Sequence, residues 1–294
     1  MIFGRLGRTL VLSLALSLFG GLAVQAQDGL ERFEKIIKPQ VDPKFFTYAK
    51  VKALGEKGFV LEDVKAVLPA SPGVTEKDIT LKIEKFSVED VDFDRLKDSK
   101  SDDIPRFAKF KIEGMTGADD LDGMLKEYGI PKTPVDLALD YKLDPASKVL
   151  TLNKLEVSLR GQGALSLSLV MEGVSDKGTE AAGAKDNSSL RTGSLTYSDS
   201  GLLAQLLPAI AKQQSMTAEA MIMVAVMPLG AFAADQGAAT KKQLDGLASF
   251  LTDWKKPAGP IKISITPSKS ASLADMDKIG QPNALTEIFG VKVD

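Results

Sequence analysis

The densest grouping of chemically capable side chains is acidic: Glu89, Asp90, Asp92 and Asp94, followed by Asp98, Asp102 and Asp103. The spacing of Asp90, Asp92 and Asp94 matches the opening of a calcium loop, in which alternate carboxylates converge on one cation. Arg95 stands where such a loop requires its turn glycine, and Ser101 where its bidentate glutamate belongs, so no metal site is expected. The pattern predicts instead a solvated strand face flanking buried Val91 and Phe93. A second grouping, Asp140-Tyr141-Lys142, sets a phenol beside a carboxylate and an amine. Neighbours along a strand point to opposite faces, so these three do not converge on one reacting centre. The chain contains no His and no Cys. That removes Ser-His-Asp and Cys-His nucleophile systems, thiol redox chemistry and the ordinary zinc sites. No catalytic residue, cofactor or metal ligand is nominated, and the expectation is a protein that is not an enzyme.

These groups sit on a chain whose dominant rhythm is period two. Across 135–173, Val135, Leu137, Leu139, Tyr141 and Leu143 alternate with polar or small residues, a turn follows at Asp144-Pro145-Ala146-Ser147, and two further strands complete a meander. In the second strand Leu150 and Leu152 are out of phase with Leu155, Val157 and Leu159, which predicts a bulge at Asn153-Lys154. The third places Leu165, Leu167, Leu169 and Met171 on one face and Ser166, Ser168 and Glu172 on the other. A similar slip falls at Glu84-Lys85, between Ile79, Leu81, Ile83 and Phe86, Val88. Bulges add twist, so repeated slips predict a strongly curved sheet.

Around this meander the chain predicts a short helix over 30–37, a hairpin of 46–54 with 59–68 turning at 55–58, a strand through Ala108, Phe110 and Ile112, and an amphipathic helix over 118–128. Periodicity disappears between 174 and 190. Beyond it come a strand over 191–197, helices over 201–213, 217–234 and 240–254, and a strand with Ile261, Ile263 and Ile265. The middle helix is nearly all apolar from Ala220 to Ala234, too short and too interrupted by Pro228 and Gly230 for a membrane span, and is expected in the core. A one-sided meander needs its apolar face covered, and these helices carry the largest apolar surface available. The expected fold is therefore α+β: a long curved antiparallel sheet with a helical layer packed on its concave face.

The organisation expected is a signal peptide over 1–26, the meander with one short covering helix over 27–175, a flexible loop over 176–190, and a strand, helix cluster and strand over 191–294 that complete the same fold. Arg5 and Arg8 precede an apolar run and the small-residue site Val24-Gln25-Ala26, the plan of an export signal cleaved after Ala26. Removing those two arginines from 37 basic residues leaves 35 against 39 acidic ones, a balance with no footprint for nucleic acid. Export without cysteine means packing alone holds the fold, and a bacterial periplasm is the expected compartment.

Three phrases, ALDYKLDPASKVLTLNKLEVSL, SLTYSDSGLLAQLL and PIKISITPSKSASLADM, give the chain a rhythm that resembles uncharacterised bacterial envelope proteins related to the AsmA-like and other periplasmic lipid-handling families. The resemblance implies no catalytic residues. Two functions of different class follow. One is a non-enzymatic periplasmic carrier of an apolar ligand such as a lipid, held in a groove of Leu137, Leu152, Val157, Leu167, Met221, Met223 and Met227. The other is a structural or protein-interaction element of the cell envelope, with an envelope protein as partner. A continuous apolar cavity favours the first, and its absence the second.

Overall fold

The computed structural model describes residues 28–70, 77–98, 101–117, 123, 125–178 and 188–294. The expected signal peptide and most of the loop before Ser189 lie outside these residues, as does much of the helix expected over 118–128. The C-terminal end of that helix is seen at 125–127, where Gly129 takes φ +73°, the left-handed conformation that ends helices.

One antiparallel sheet of 12 strands organises the chain. Its strands are β1 (Phe46–Thr47), β2 (Lys50–Leu54), β3 (Gly58–Leu68), β4 (Ile79–Val91), β5 (Phe107–Met115), β6 (Val135–Asp144), β7 (Val149–Leu159), β8 (Gly163–Glu172), β9 (Ser189–Asp199), β10 (Ile261–Ile265), β11 (Ala271–Ser272) and β12 (Val291–Val293). Sequential neighbours pair from β3 to β10, and β12 closes one edge against β10, so the sheet is an open meander. The segments before and after the 174–190 break share this one sheet, because β9 pairs with β8 along its length.

The bulge expected at Asn153-Lys154 is present. Tyr141 pairs with Leu152 while Asp140 pairs with Lys154, so Asn153 is the extra residue and both apolar runs of β7 face the same way. The slip at Glu84-Lys85 takes another form. Strands β3 and β4 change phase together and keep one register, Ile83 opposite Val64 and Phe86 opposite Leu61. Asp63 adopts φ +54° at that level, and Gly114 on β5 adopts φ +70°. A Cβ on Gly114 would lie 2.1 Å from the Glu84 carboxyl carbon, so this kink requires glycine.

Two helical layers flank the sheet. At the first end α1 (Asp28–Arg32) runs directly into a π-helical turn over Phe33–Ile37 and a 3-10 turn over Lys38–Gln40. Phe33 is fully buried, with its ring centroid 4.4 Å from Phe59 and 6.1 Å from Tyr48. Together with Ile37 and Phe93, on the short α2 (Phe93–Leu96), it forms the principal core over β2–β5. At the other end stand α3 (Leu202–Gln213), α4 (Ala218–Ala234) and α5 (Ala238–Thr252). Asp199 accepts bonds from Gly201 N–H at 2.9 Å and Leu203 N–H at 2.9 Å, turning the chain from β9 into α3, and Thr217 caps α4. Phe250 of α5 stacks edge-on to Tyr197 at 6.1 Å, and a Cβ on Gly246 would sit 3.3 Å from Val293 Cγ1. Gln243 Oε1 accepts the outward N–H of Val293 at 2.7 Å, which satisfies an edge-strand donor.

The α+β fold with its large antiparallel sheet is present, and one expectation about the helices is corrected here. The helices over 201–254 pack on one another and reach the sheet at its β9–β12 end, leaving the faces of β7 and β8 only partly covered. The middle helix, α4, is not a core helix: only Ala218 and Ile222 are buried. A helix apolar all round buries no more than its neighbours can cover, and each neighbour offers only a single apolar stripe.

Candidate functional site: an uncovered apolar sheet face

Because directly opposed residues share a face, pairing register converts the alternation of single strands into rows across the sheet. One row reads Leu61, Phe86, Ile112, Leu137, Val157, Leu165, Tyr197, Ile261, crossing eight strands from β3 to β10. The neighbouring row runs from Phe59 through Leu139, Leu155 and Leu167 to Leu195, Ile263 and Val293. The bulge at Asn153 is what keeps Leu152 on this same side, opposite Tyr141 and Leu169.

Coverage along these rows is uneven. Leu61 and Phe59 lie beneath the Phe33 layer, and Tyr197 and Val293 meet α5. In between, Val157 is 41% exposed, Leu165 45% and Leu195 36%. Large apolar side chains on a sheet face are usually covered by a second layer, so this strip is the anomaly of the fold.

The sequence-expected groove is only partly assembled. Leu137 and Val157 are direct partners, and Leu167 and Leu152 share their face one and two cross-strand rows along. Met221 packs instead with Ala211, Ala218, Ile222 and Trp254 in a small helix-cluster core. Met223 and Met227 point outward, 69% and 68% exposed. Leu165 and Leu195, the most prominent sheet positions beside Val157, were missed. Their alternation is no different from that of Leu167, and only the place where the covering layers stop distinguishes them.

The opposite face of the same strands is hydroxyl-rich. Ser166 faces Thr196, and Ser168 faces Ser194, their hydroxyls 3.0 Å apart, with Ser264 next in line. A shallow concavity of about 400 Å³ lies among Thr151, Ser168, Thr192, Ser194 and Ser264, and a second of about 320 Å³ among Thr80, Lys82, Thr116 and Lys132. Both are open, with polar and apolar surface mixed along their walls. The continuous apolar cavity that would have separated the two functions is therefore not outlined by the described residues; the apolar surface is an open face.

The acidic grouping resolves differently from its sequence reading. Asp92 is 2% exposed, not solvated. It accepts Arg106 Nε at 2.6 Å, an Arg106 terminal nitrogen at 2.9 Å and Arg106 N–H at 3.1 Å. Burial alone would raise its pKa, but the hydrogen bonds and charge of Arg106 outweigh this and hold it below the usual carboxylate range. Arg95, at the would-be turn-glycine position, reaches Ile104 O at 2.9 Å and Asp176 Oδ2 at 2.7 Å, tying the 92–106 loop to the segment after β8. Among the described residues no group of three His, Cys, Asp or Glu side chains could hold a metal ion.

A second cluster braces the kink. Arg160 bonds Asp136 at 2.7 Å and Glu84 at 3.2 Å, while Asp136 also accepts Gly114 N–H at 2.6 Å. Asp136 is likewise held low, its burial outweighed by Arg160 and the Gly114 N–H. Tyr141 donates to Pro105 O at 2.8 Å, and burial, reinforced by the Asp92 charge, pushes its phenol up. The carboxylates are thus held ionised and the phenol protonated.

A family described only as an uncharacterized protein matches residues 156–294, from the middle of β7 to the C-terminus. The matched stretch contains Val157, Leu165 and Leu195 and the whole helix cluster, and leaves out β6, the first half of β7 and the Phe33 core. No curated protein matches the chain.

Proposed function

We propose that this is a non-enzymatic carrier of an apolar ligand such as a lipid, held against the uncovered strip of β6–β9. The observation that carries it is the uninterrupted apolar row whose ends lie beneath helices while Val157 and Leu165 at its centre remain 41% and 45% exposed. In this reading the sheet curves, the helical layers flank its concave side, and an extended acyl chain completes the missing cover. Strip width favours a chain-like ligand: adjacent strands lie about 4.8 Å apart, so β6–β9 present a band some 15 Å wide, open along its length.

The shifts at Asp92, Asp136 and Tyr141 support a non-enzymatic role. They move acids further from neutrality and the phenol further above it, opposite to the tuning of a general acid or base. The N-terminal export signal, the periplasmic setting and the kinship with envelope lipid-handling proteins belong to this proposal. Solvent extraction of the purified protein followed by lipid mass spectrometry tests it. Stoichiometric lipid, lost on Leu165→Asp substitution, is expected; a ligand-free protein that also fails to take up a fatty-acid probe would overturn it.

The second reading, a structural or interaction element of the envelope, is favoured by one observation: the two concavities are open to solvent and neither encloses an apolar space. In-cell crosslinking that repeatedly captured one envelope protein through the sheet would support it.

A further inference from the structure

Helix α4 carries a feature the sheet does not explain. Across 220–234 it has no charged or amide side chain. Its inner side, with Ala218, Ile222 and Val226, packs into the helix cluster, as expected. The outer side of a surface helix should then be polar. Here it presents Met223 (69% exposed), Val224 (60%) and Met227 (68%), with Ala220, Pro228 and Ala231 also exposed.

We propose that this outer face of α4 docks on a lipid bilayer, lying in the interface and not crossing it. Three observations select this occupant. The first is length. Seventeen residues make a helix of about 25 Å, short of the ~30 Å hydrocarbon core, and no single described helix is long and apolar enough to span. Helices α3 and α4 are together long and apolar enough, but the 92° bend between them keeps the pair from forming one straight span.

The second is area. A strip of that length and about 10 Å wide offers roughly 250 Å², far below the ~800 Å² per partner of a stable protein interface. Insertion into the acyl boundary sets no such minimum, because it draws on any apolar area desolvated.

The third is the charge at one end of the helix. Lys255 is engaged by Glu219 in the first turn of α4 at 2.8 Å, and exposed Lys256 and Lys212, in the segments adjoining that end, are the lysines that face a phosphate layer. Lysines at the margin of an apolar face can reach phosphates while their stems stay on the apolar surface. Methionine, flexible and polarizable, suits a disordered acyl environment. This surface is separate from the ligand strip, and its docking does not require that strip to be loaded.

The chain has no cysteine, so one introduced thiol gives a clean reporter. Met227→Cys and, at the turn between β6 and β7, Ala146→Cys are each labelled with an environment-sensitive fluorophore in the full chain and titrated with phosphatidylcholine–phosphatidylglycerol vesicles. A blue shift and several-fold brightening at 227, absent at 146, are expected. Met223→Glu/Met227→Glu is expected to lower the vesicle partition coefficient at least tenfold in cosedimentation, with circular dichroism unchanged and extractable lipid retained.

Equal vesicle binding by the double variant would overturn the proposal, placing any binding elsewhere on the chain. So would a blue shift at 227 that grows with protein concentration without vesicles and accompanies dimer formation. Should the double variant fail to fold, the two reporter positions decide alone. Absence of extractable lipid and of fatty-acid uptake in the parent protein, with intact docking at 227, would sink the carrier and leave this inference standing.

Discussion

The reading of an uncovered face makes a sharp demand on two leucines of the same row. Leu61 on β3 is fully buried beneath the Phe33 layer, whereas Leu165 on β8 is 45% exposed. Leu61→Ala removes a packed side chain and leaves a cavity, which costs about 2–5 kcal/mol. Leu165→Ala forfeits only the part of its transfer free energy that burial supplies. With about half the side chain in water and full burial contributing about 1.5–3 kcal/mol, the loss is about 1 kcal/mol, with no cavity term because solvent fills the site. Urea denaturation of the two variants and the parent, delipidated and followed by Trp254 fluorescence and far-ultraviolet circular dichroism, measures the difference. A midpoint shift for Leu165→Ala at most half that of Leu61→Ala is expected, with equal slopes. If the two substitutions cost the same, the strip is covered in solution by the chain's own helices. No layer is then missing from the sheet. Repeating the Leu165→Ala comparison with bound lipid should enlarge its cost, since the ligand supplies the absent cover.

Asp92 makes a test in acid. Its folded pKa lies below the unfolded value near 3.9, so the unfolded chain binds the proton first; its contribution is complete above about pH 4 and disappears as pH falls through the lower folded value. Asp92→Asn should cost about 2 kcal/mol at pH 7, less than a fully buried pair because Arg106 is partly solvated, and urea midpoints of parent and variant should converge towards pH 2. Tyr48 is buried with a hydroxyl that has no hydrogen-bond partner among the described residues, and desolvation, aided by the Glu34 charge, pushes it up to about 12. Tyr48→Phe should therefore be neutral or stabilising by up to about 1 kcal/mol; a loss beyond about 1 kcal/mol in the same urea assay would show that the hydroxyl is satisfied. Deleting Asn153 removes the extra residue of β7 and leaves Leu150, Leu152, Leu155, Val157 and Leu159 in unbroken period-two alternation on one face, so the pairing with β6 and β8 can close without a bulge. Cooperative urea unfolding is expected to persist; its loss would show that the bulge's extra twist is itself required.

Much of the local structure was legible because it depends on near neighbours. Alternation placed the strands of 135–173, and the phase break at Asn153-Lys154 located a bulge, since a strand cannot change phase without an extra residue or a kink. The break at Glu84 was equally visible, but not its form. Strands β3 and β4 kink together there, and Gly114 on β5 makes room for Glu84, a correlation no single strand displays. The acidic run misled for a related reason. Asp92 looks solvated beside Asp90 and Asp94, and its partner Arg106 arrives only when the chain returns along β5.

What the sequence alone determined is therefore the alternation that gives the sheet one apolar and one hydroxyl-bearing face, the absence of His and Cys with the chemistry that removes, and the wholly apolar character of 220–234. Tertiary structure decided which of those apolar residues stay in water. Leu61, Leu165, Ile222 and Met223 are alike in sequence terms, and they differ only in whether a second layer reaches them. Hydrophobicity states what a side chain would gain from cover. Whether cover exists depends on how far the Phe33 and α5 layers extend across the sheet, and they stop short of β7 and β8.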